Sequence, residues 1–247
     1  MVNEGRTETL LWNLACAYMI AKEKVIERGY AHEIDWQESL SLYDLSESDF
    51  LRESAWVILS SGMRETVVRR KFPEISRAFC GWESAWRIVT RKYDCRDSAL
   101  SYFNSPKKID SIIEIAAHTA EVGFDCVRQR LWSEGTSYIT QFPYMGPATA
   151  YHLAKNIGLS VAKPDRHLIR IAEAVGYSTP QSMCEDVADF VGDKIPVVDV
   201  VLWRYATICK DYLQLFSDDG MERAASADCG LCWIEHNCSP AMGKGES

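Results

Sequence analysis

The residue types able to do chemistry in this 247-residue chain concentrate in two places. The first is Phe142-Pro143-Tyr144-Met145-Gly146-Pro147-Ala148-Thr149-Ala150, which leads into a helix predicted over 152–157. Gly146 can take a left-handed turn, and Pro147 suits the first helical position because its missing N–H costs nothing there. Such a turn presents several free backbone N–H groups at the positive end of a helix, an arrangement that holds a phosphate. An ordinary helix–turn–helix corner is the other reading of the same residues. Downstream, Lys163-Pro164-Asp165-Arg166-His167-Leu168-Ile169-Arg170 sets Asp165 after a proline, opening an amphipathic helix with Leu168, Ile169 and Ala172 on one side. An aspartate in that position serves as an N-cap worth about 1 kcal/mol.

The second place is the C-terminal region. Of nine cysteines, Cys16, Cys80, Cys95, Cys126 and Cys184 are scattered, several among apolar neighbours, and read as small buried hydrophobes. Cys209, Cys229, Cys232 and Cys238 crowd into the last forty or so residues, a clustering that burial does not explain. The N-terminal Met-Val-Asn-Glu-Gly-Arg has no apolar core of a signal peptide, so a cytoplasmic chain is expected, and reduced thiols with it.

Helical periodicity dominates the elements that must position these groups. Residues 7–29 repeat Leu10, Leu11, Leu14, Ala17, Tyr18, Ala21 and Val25 at 3.6 spacing. Ser48 precedes a helix over 49–60 with Phe50, Leu51, Trp56, Val57 and Leu59 as its buried side. After Ser61-Gly62 a second helix is expected over 64–79, and a third over 108–118. No stretch alternates with period 2, so the predicted fold class is all-α.

Composition bounds the function. Hydrophobic residues at 47% and charged residues at 25% exclude a disordered or fibrous chain. No apolar run approaches the roughly 20 residues of a membrane span, so no membrane partner is expected. A net charge of −8 argues against indiscriminate coating of nucleic acid, but the charge is uneven. Seven acids and one base lie between Glu33 and Glu53; Arg64, Arg69, Arg70 and Lys71 then reverse the sign. Lys107 and Lys108, and later Lys163, Arg166, His167 and Arg170, add further basic patches, each readable by itself as a solvated helix face.

The hairpin residues Phe142–Ala150, one helix, and then Pro164-Asp165-Arg166-His167-Leu168-Ile169-Arg170 together resemble the helix-hairpin-helix DNA glycosylase superfamily. Upstream, Trp56-Val57-Ile58-Leu59-Ser60-Ser61 is similar to that family's opening core helix, and Asn104-Ser105-Pro106-Lys107-Lys108 to its helix start before the hairpin. The resemblance spans roughly 49–238 and implies a two-lobed all-α fold. A six-helix barrel would take 49–170, and 1–48 plus 171–247 would make the second lobe, with Asp165 at the cleft. Cys229, Cys232 and Cys238 form a Cys-x2-Cys-x5-Cys run similar to the endonuclease III branch, where four thiolates hold a [4Fe–4S] cluster. The family's first cysteine position falls here on Glu222, so Cys209, at the end of a helix over 202–208, is taken as the fourth ligand with an insertion across 210–228. A zinc site using His236, or no metal, is the alternative.

The resemblance implies hydrolysis of the bond between a base and deoxyribose, with Asp165 stabilising the developing positive charge and orienting or deprotonating water. Bifunctional members carry a nucleophilic lysine where this chain has Ala148, so a monofunctional glycosylase is expected, leaving an abasic site. Tyr144 replaces the hairpin's first glycine. The amides of Gly146, Pro147, Ala148 and Thr149 (proline contributing position only), with Lys107, Lys108 and Arg166, are expected on phosphates. Met63 or Arg64 would fill the gap left by an extruded base, and Trp56, Tyr144 and His167 are the candidate walls of the base pocket. The expected partner is double-stranded DNA with a modified base, met by a monomer near the nucleoid, in base excision repair or defence against hypermodified phage DNA. A non-catalytic DNA-binding protein with a structural metal is the competing reading.

Overall fold

The computed structural model describes residues 4–227. Among them the chain is all helical and has no strand. No described helix is long and apolar enough to cross a membrane. In chain order the helices are α1 (Glu4–Glu27), α2 (Ala31–Ser39), α3 (Glu47–Ser60), α4 (Glu65–Ala78), α5 (Ala85–Thr90), α6 (Lys92–Tyr102) and α7 (Pro106–Val122). They continue as α8 (Phe124–Glu134), α9 (Thr136–Ile139), α10 (Pro147–Asn156), α11 (Arg166–Ala174), α12 (Pro180–Val191), α13 (Ile195–Ile208) and α14 (Asp218–Ser226).

The chain divides into two compact units, Ser39–Lys163 and a second that joins the residues up to Glu38 with those from Pro164 on. Both borders lie ahead of those expected at 48/49 and 170/171. Leu42 and Leu45 are buried in the core of the first unit, which draws the segment before α3 into it. The later border could not fall at 170, because α11 is one continuous helix that packs on α12 and α13.

In the unit Ser39–Lys163, α3 is capped by Ser46, whose Oγ accepts the Asp49 N–H at 3.0 Å, so the helix starts two residues ahead of the expected 49. Its apolar stripe buries Phe50, Leu51, Ala55, Val57, Ile58 and Leu59. Trp56 stays half-buried at the edge of this stripe. α7 starts on Pro106, buries Ile109, Ile112, Ile115 and Ala116, and packs on α3 and α5. Each such aliphatic side chain contributes about 1.5–3 kcal/mol when fully buried. Helices α9 and α10 form the hairpin, and α10 rests on α3. The chain leaves α10 through Gly158, where a Cβ would sit 2.6 Å from the Leu42 nitrogen at a φ of +89°.

In the other unit, α1 buries Leu14, Ala15, Cys16, Ala17, Tyr18 and Ala21 completely and packs on α12, α13 and α14. Its polar contacts are specific: the Tyr18 hydroxyl donates to Asp193, and the Lys22 ammonium pairs with the same carboxylate at 2.7 Å. Burial, with Asp193 beside it, pushes the Tyr18 phenol well above its ordinary value. Arg204 grips Glu33 with both nitrogens of its fork. The described part of the insertion across 210–228 is folded, a single 3-10 turn at Tyr212–Gln214 followed by α14.

Gly158→Ala is expected to cost at least about 2 kcal/mol, since the strained φ and a backbone contact below 3 Å both oppose a side chain. Urea unfolding of the variant against the parent chain measures it.

Candidate functional site

The hairpin turn is held from inside. Phe142 and Met145 point into the core of their unit, 7% and 2% exposed, and Phe142 stacks edge-on with Tyr138 and His118. Gly146 was expected to take the left-handed conformation; instead Tyr144 takes it, at φ 65°, and Gly146 is extended at φ −68°, ψ 174°. A left-handed non-glycine costs about 1–2 kcal/mol, so the two buried neighbours must fix the turn strongly enough to impose it. Gly146 is the N-cap of α10 and has no side chain with which to cap it. Pro147 occupies the first turn, and Gly146, Pro147 and Ala148 are exposed, with Thr149 half-buried. The first amides of α10 therefore form a positive dipole end with no side-chain cap.

The two lysines before the hairpin part company. Lys107 is exposed, whereas Lys108 is 7% exposed. The Lys108 ammonium donates to the Leu59 carbonyl at 2.8 Å and to the Ser61 carbonyl at 2.6 Å. It also lies 5.9 Å from the Tyr144 ring and 5.8 Å from the Phe103 ring. Burial holds its pKa below the usual lysine range. The expected phosphate contact is thus replaced by an internal one: Lys108 closes the C-terminal end of α3, where carbonyls lack helical partners, and faces the Tyr144 ring. The loop that follows carries Met63 and Arg64, both exposed, with Arg64 as the N-cap residue of α4. Trp56 packs edge-on against Phe72 at 5.2 Å with the Arg69 guanidinium 5.5 Å from its ring.

Sequence reasoning passed over Glu53. Its carboxylate is 12% exposed and accepts Asn156 Nδ2 from the last residue of α10 at 3.1 Å and Arg52 Nε at 3.3 Å. Burial raises its pKa, outweighing Arg52 and Asn156. The signal was present: Phe50, Glu53 and Val57 share one face of α3 at spacings of three and four. Lys108 likewise falls in register with Ile112 and Ile115. Farther along α10, His152 is held well below its ordinary pKa, mainly by burial and further by Lys163 and Lys155, so it is neutral at neutral pH.

In the other unit Asp165 is the N-cap of α11, at φ −91° and ψ 168°. Its Oδ1 accepts the His167 N–H at 2.8 Å and the Leu168 N–H at 3.1 Å. No described residue bonds to Oδ2. The cap thus engages one oxygen of the carboxylate and fixes the direction of the other. Arg166 is exposed, its Nε 3.3 Å from His167 Nε2. His167 Nδ1 lies 3.2 Å from the Tyr212 hydroxyl, with the rings edge-on at 5.4 Å. Burial, aided by Arg166 and Arg170, lowers the His167 pKa despite Asp165. A neutral imidazole bound to Tyr212 fastens α11 to the turn after α13.

Cys209 is the C-cap of α13, half-buried, and it helps to push the Tyr205 hydroxyl, already raised by burial, up to about 12. Cys229, Cys232, Cys238 and His236 lie outside the described residues. Compared with family models, curated proteins and solved structures, the chain matches none.

Lys108→Met is expected to cost about 1–3 kcal/mol, since the buried Leu59 carbonyl and the half-buried Ser61 carbonyl lose a charged donor, while Lys107→Ala stays within about 0.5 kcal/mol. Urea unfolding of both variants makes the comparison. Glu53→Gln tests the buried carboxyl. With the folded pKa raised, the contribution of Glu53 is complete below the ordinary glutamate range and is lost as pH rises through the folded value. The glutamine variant keeps an acceptor for Asn156 and does not titrate. Its stability relative to the parent should therefore increase between pH 4 and pH 8 in thermal melts (conditions spanning about the carboxylate range).

Proposed function

We propose that this protein is a monofunctional DNA glycosylase with a helix-hairpin-helix fold, which extrudes a modified base from duplex DNA and hydrolyses its bond to deoxyribose. What carries the reading is the state of Asp165: Oδ1 is held by two amides, and Oδ2 has no described partner. The uncapped start of α10 and the left-handed residue in the turn before it support the same reading.

As the base departs, the sugar gains positive charge, and a carboxylate fixed by its own helix start stabilises that charge without reorganising. Oδ2 also takes the proton of the attacking water. The amides at the start of α10 hold a phosphate, and Lys107 and Arg166 add charge to neighbouring phosphates. Met63 or Arg64 occupies the space left in the stack. The hairpin lysine used for covalent chemistry in bifunctional relatives of this fold is absent, since Ala148 stands there. The donor set Cys209, Cys229, Cys232 and Cys238 is four soft thiolates, chemistry suited to a [4Fe–4S] cluster, which would hold the C-terminal segment rather than enter the reaction.

Asparagine caps a helix about as well as aspartate, so Asp165→Asn should fold normally. Duplexes carrying alkylated, deaminated, oxidised or hypermodified bases, incubated with each protein and then treated with alkali, test the proposal. The parent chain should create alkali-sensitive abasic sites in at least one substrate class, and Asp165→Asn should lose roughly 100-fold or more of that rate. Equal activity in the variant, or strand cleavage without alkali, would contradict the mechanism.

A further inference from the structure

Between α4 and α5 the backbone makes one left-handed turn, with φ values of 57° at Cys80, 65° at Gly81 and 64° at Trp82. Two of the three are not glycines, and such residues persist only where their surroundings over-determine them. Trp82 supplies the restraint: it is 2% exposed, stacks on Phe79 at 5.0 Å and on Phe72 at 6.0 Å, and donates from its indole to Ser76 Oγ at 2.9 Å. The turn brings the Cys80 sulfur 4.0 Å from that of Cys95, which is 1% exposed on α6. Cys80 itself is half-buried, and both cysteines lie on a surface pocket of ≈ 410 Å³ edged by the ion pairs Arg87–Glu83 and Arg91–Asp94. The Arg91 guanidinium lies 4.0 Å from the Cys80 sulfur.

We infer that Cys80 and Cys95 form an oxidisable dithiol, a modification site whose reactant is a low-molecular-weight disulfide. Cys80, open to the pocket, is the entry sulfur. Its thiolate attacks one sulfur of the incoming disulfide, forming a mixed disulfide and releasing one thiolate. Cys95 gives its proton to that thiolate, and its sulfur then displaces the second small thiolate from Cys80, which leaves protonated by solvent. The protein loses two protons and two electrons, and the small disulfide takes them up to become two thiols. Burial and the adjacent Cys80 push the Cys95 thiol up to about 12, so it stays protonated until the mixed disulfide is in place. The sulfurs must close from 4.0 Å to about 2.0 Å, which ties the turn after α4 to α6. The inference is independent of the glycosylase reading.

Oxidised glutathione added to the full chain, followed by alkylation and peptide mass mapping, tests it. The expected product is a Cys80–Cys95 cross-linked peptide in the parent chain. Exposed Cys126 serves as the internal control, carrying a glutathione adduct that shows the reagent has reacted. Cys95→Ser should instead leave a lasting glutathione adduct on Cys80. Either a stable Cys80 adduct beside reduced Cys95 in the parent chain, or no reaction at both while Cys126 is modified, would overturn it.

Discussion

Every α-helix leaves amide protons unsatisfied at its start and carbonyls unsatisfied at its end, and a protein made only of helices must settle that debt many times over. Here the settlement differs from one helix end to the next. Ser46, Ser84, Thr179 and Ser217 close four helix starts with hydroxyl oxygens. Asp165 closes a fifth with a carboxylate, which brings a negative charge that a hydroxyl does not. At the end of α3 the Lys108 ammonium closes off carbonyls, and at the start of α10 Gly146 leaves the amides open. Charge is internal where a helix end is buried and available where it is not.

That distinction is what lets an acidic chain be proposed to contact a polyanion. The net charge of −8 is the total of an uneven distribution, and at the start of α10 the first amides carry no side-chain cap. Lys107 and Lys108 are neighbours in sequence and opposites in use, because a helix turns by 100° per residue and only one of the two can point away from the core.

Long amphipathic elements were legible: α1, α3, α4 and α7 each follow an apolar stripe of at least three turns. Short α5 and polar α6 and α8 carry too little periodicity to stand out, and their places are set by the core they close over. Glycine proved a weak guide to the hairpin. Its left-handed residue is Tyr144, because buried Phe142 and Met145 determine the turn and override local preference. The left-handed turn at Cys80 has the same origin in the packing of Trp82. Glu53 and Lys108 were hidden for a different reason: a charged side chain on an apolar face reads as a solvated edge until its buried partners are seen. Asp165 was legible as a cap; that a single oxygen, Oδ1, takes both amides required the geometry of α11.

In the proposed reaction Asp165 Oδ2 meets a positively charged sugar, and binding can test that without any knowledge of the base removed. A duplex containing a cationic pyrrolidine in place of one nucleotide imitates that sugar, and a tetrahydrofuran residue at the same place is its neutral counterpart. The parent protein should bind the cationic duplex more tightly than the neutral one, and Asp165→Asn should bind both alike. An equal preference for the cation in both proteins, or none in the parent, would contradict the role assigned to this carboxylate.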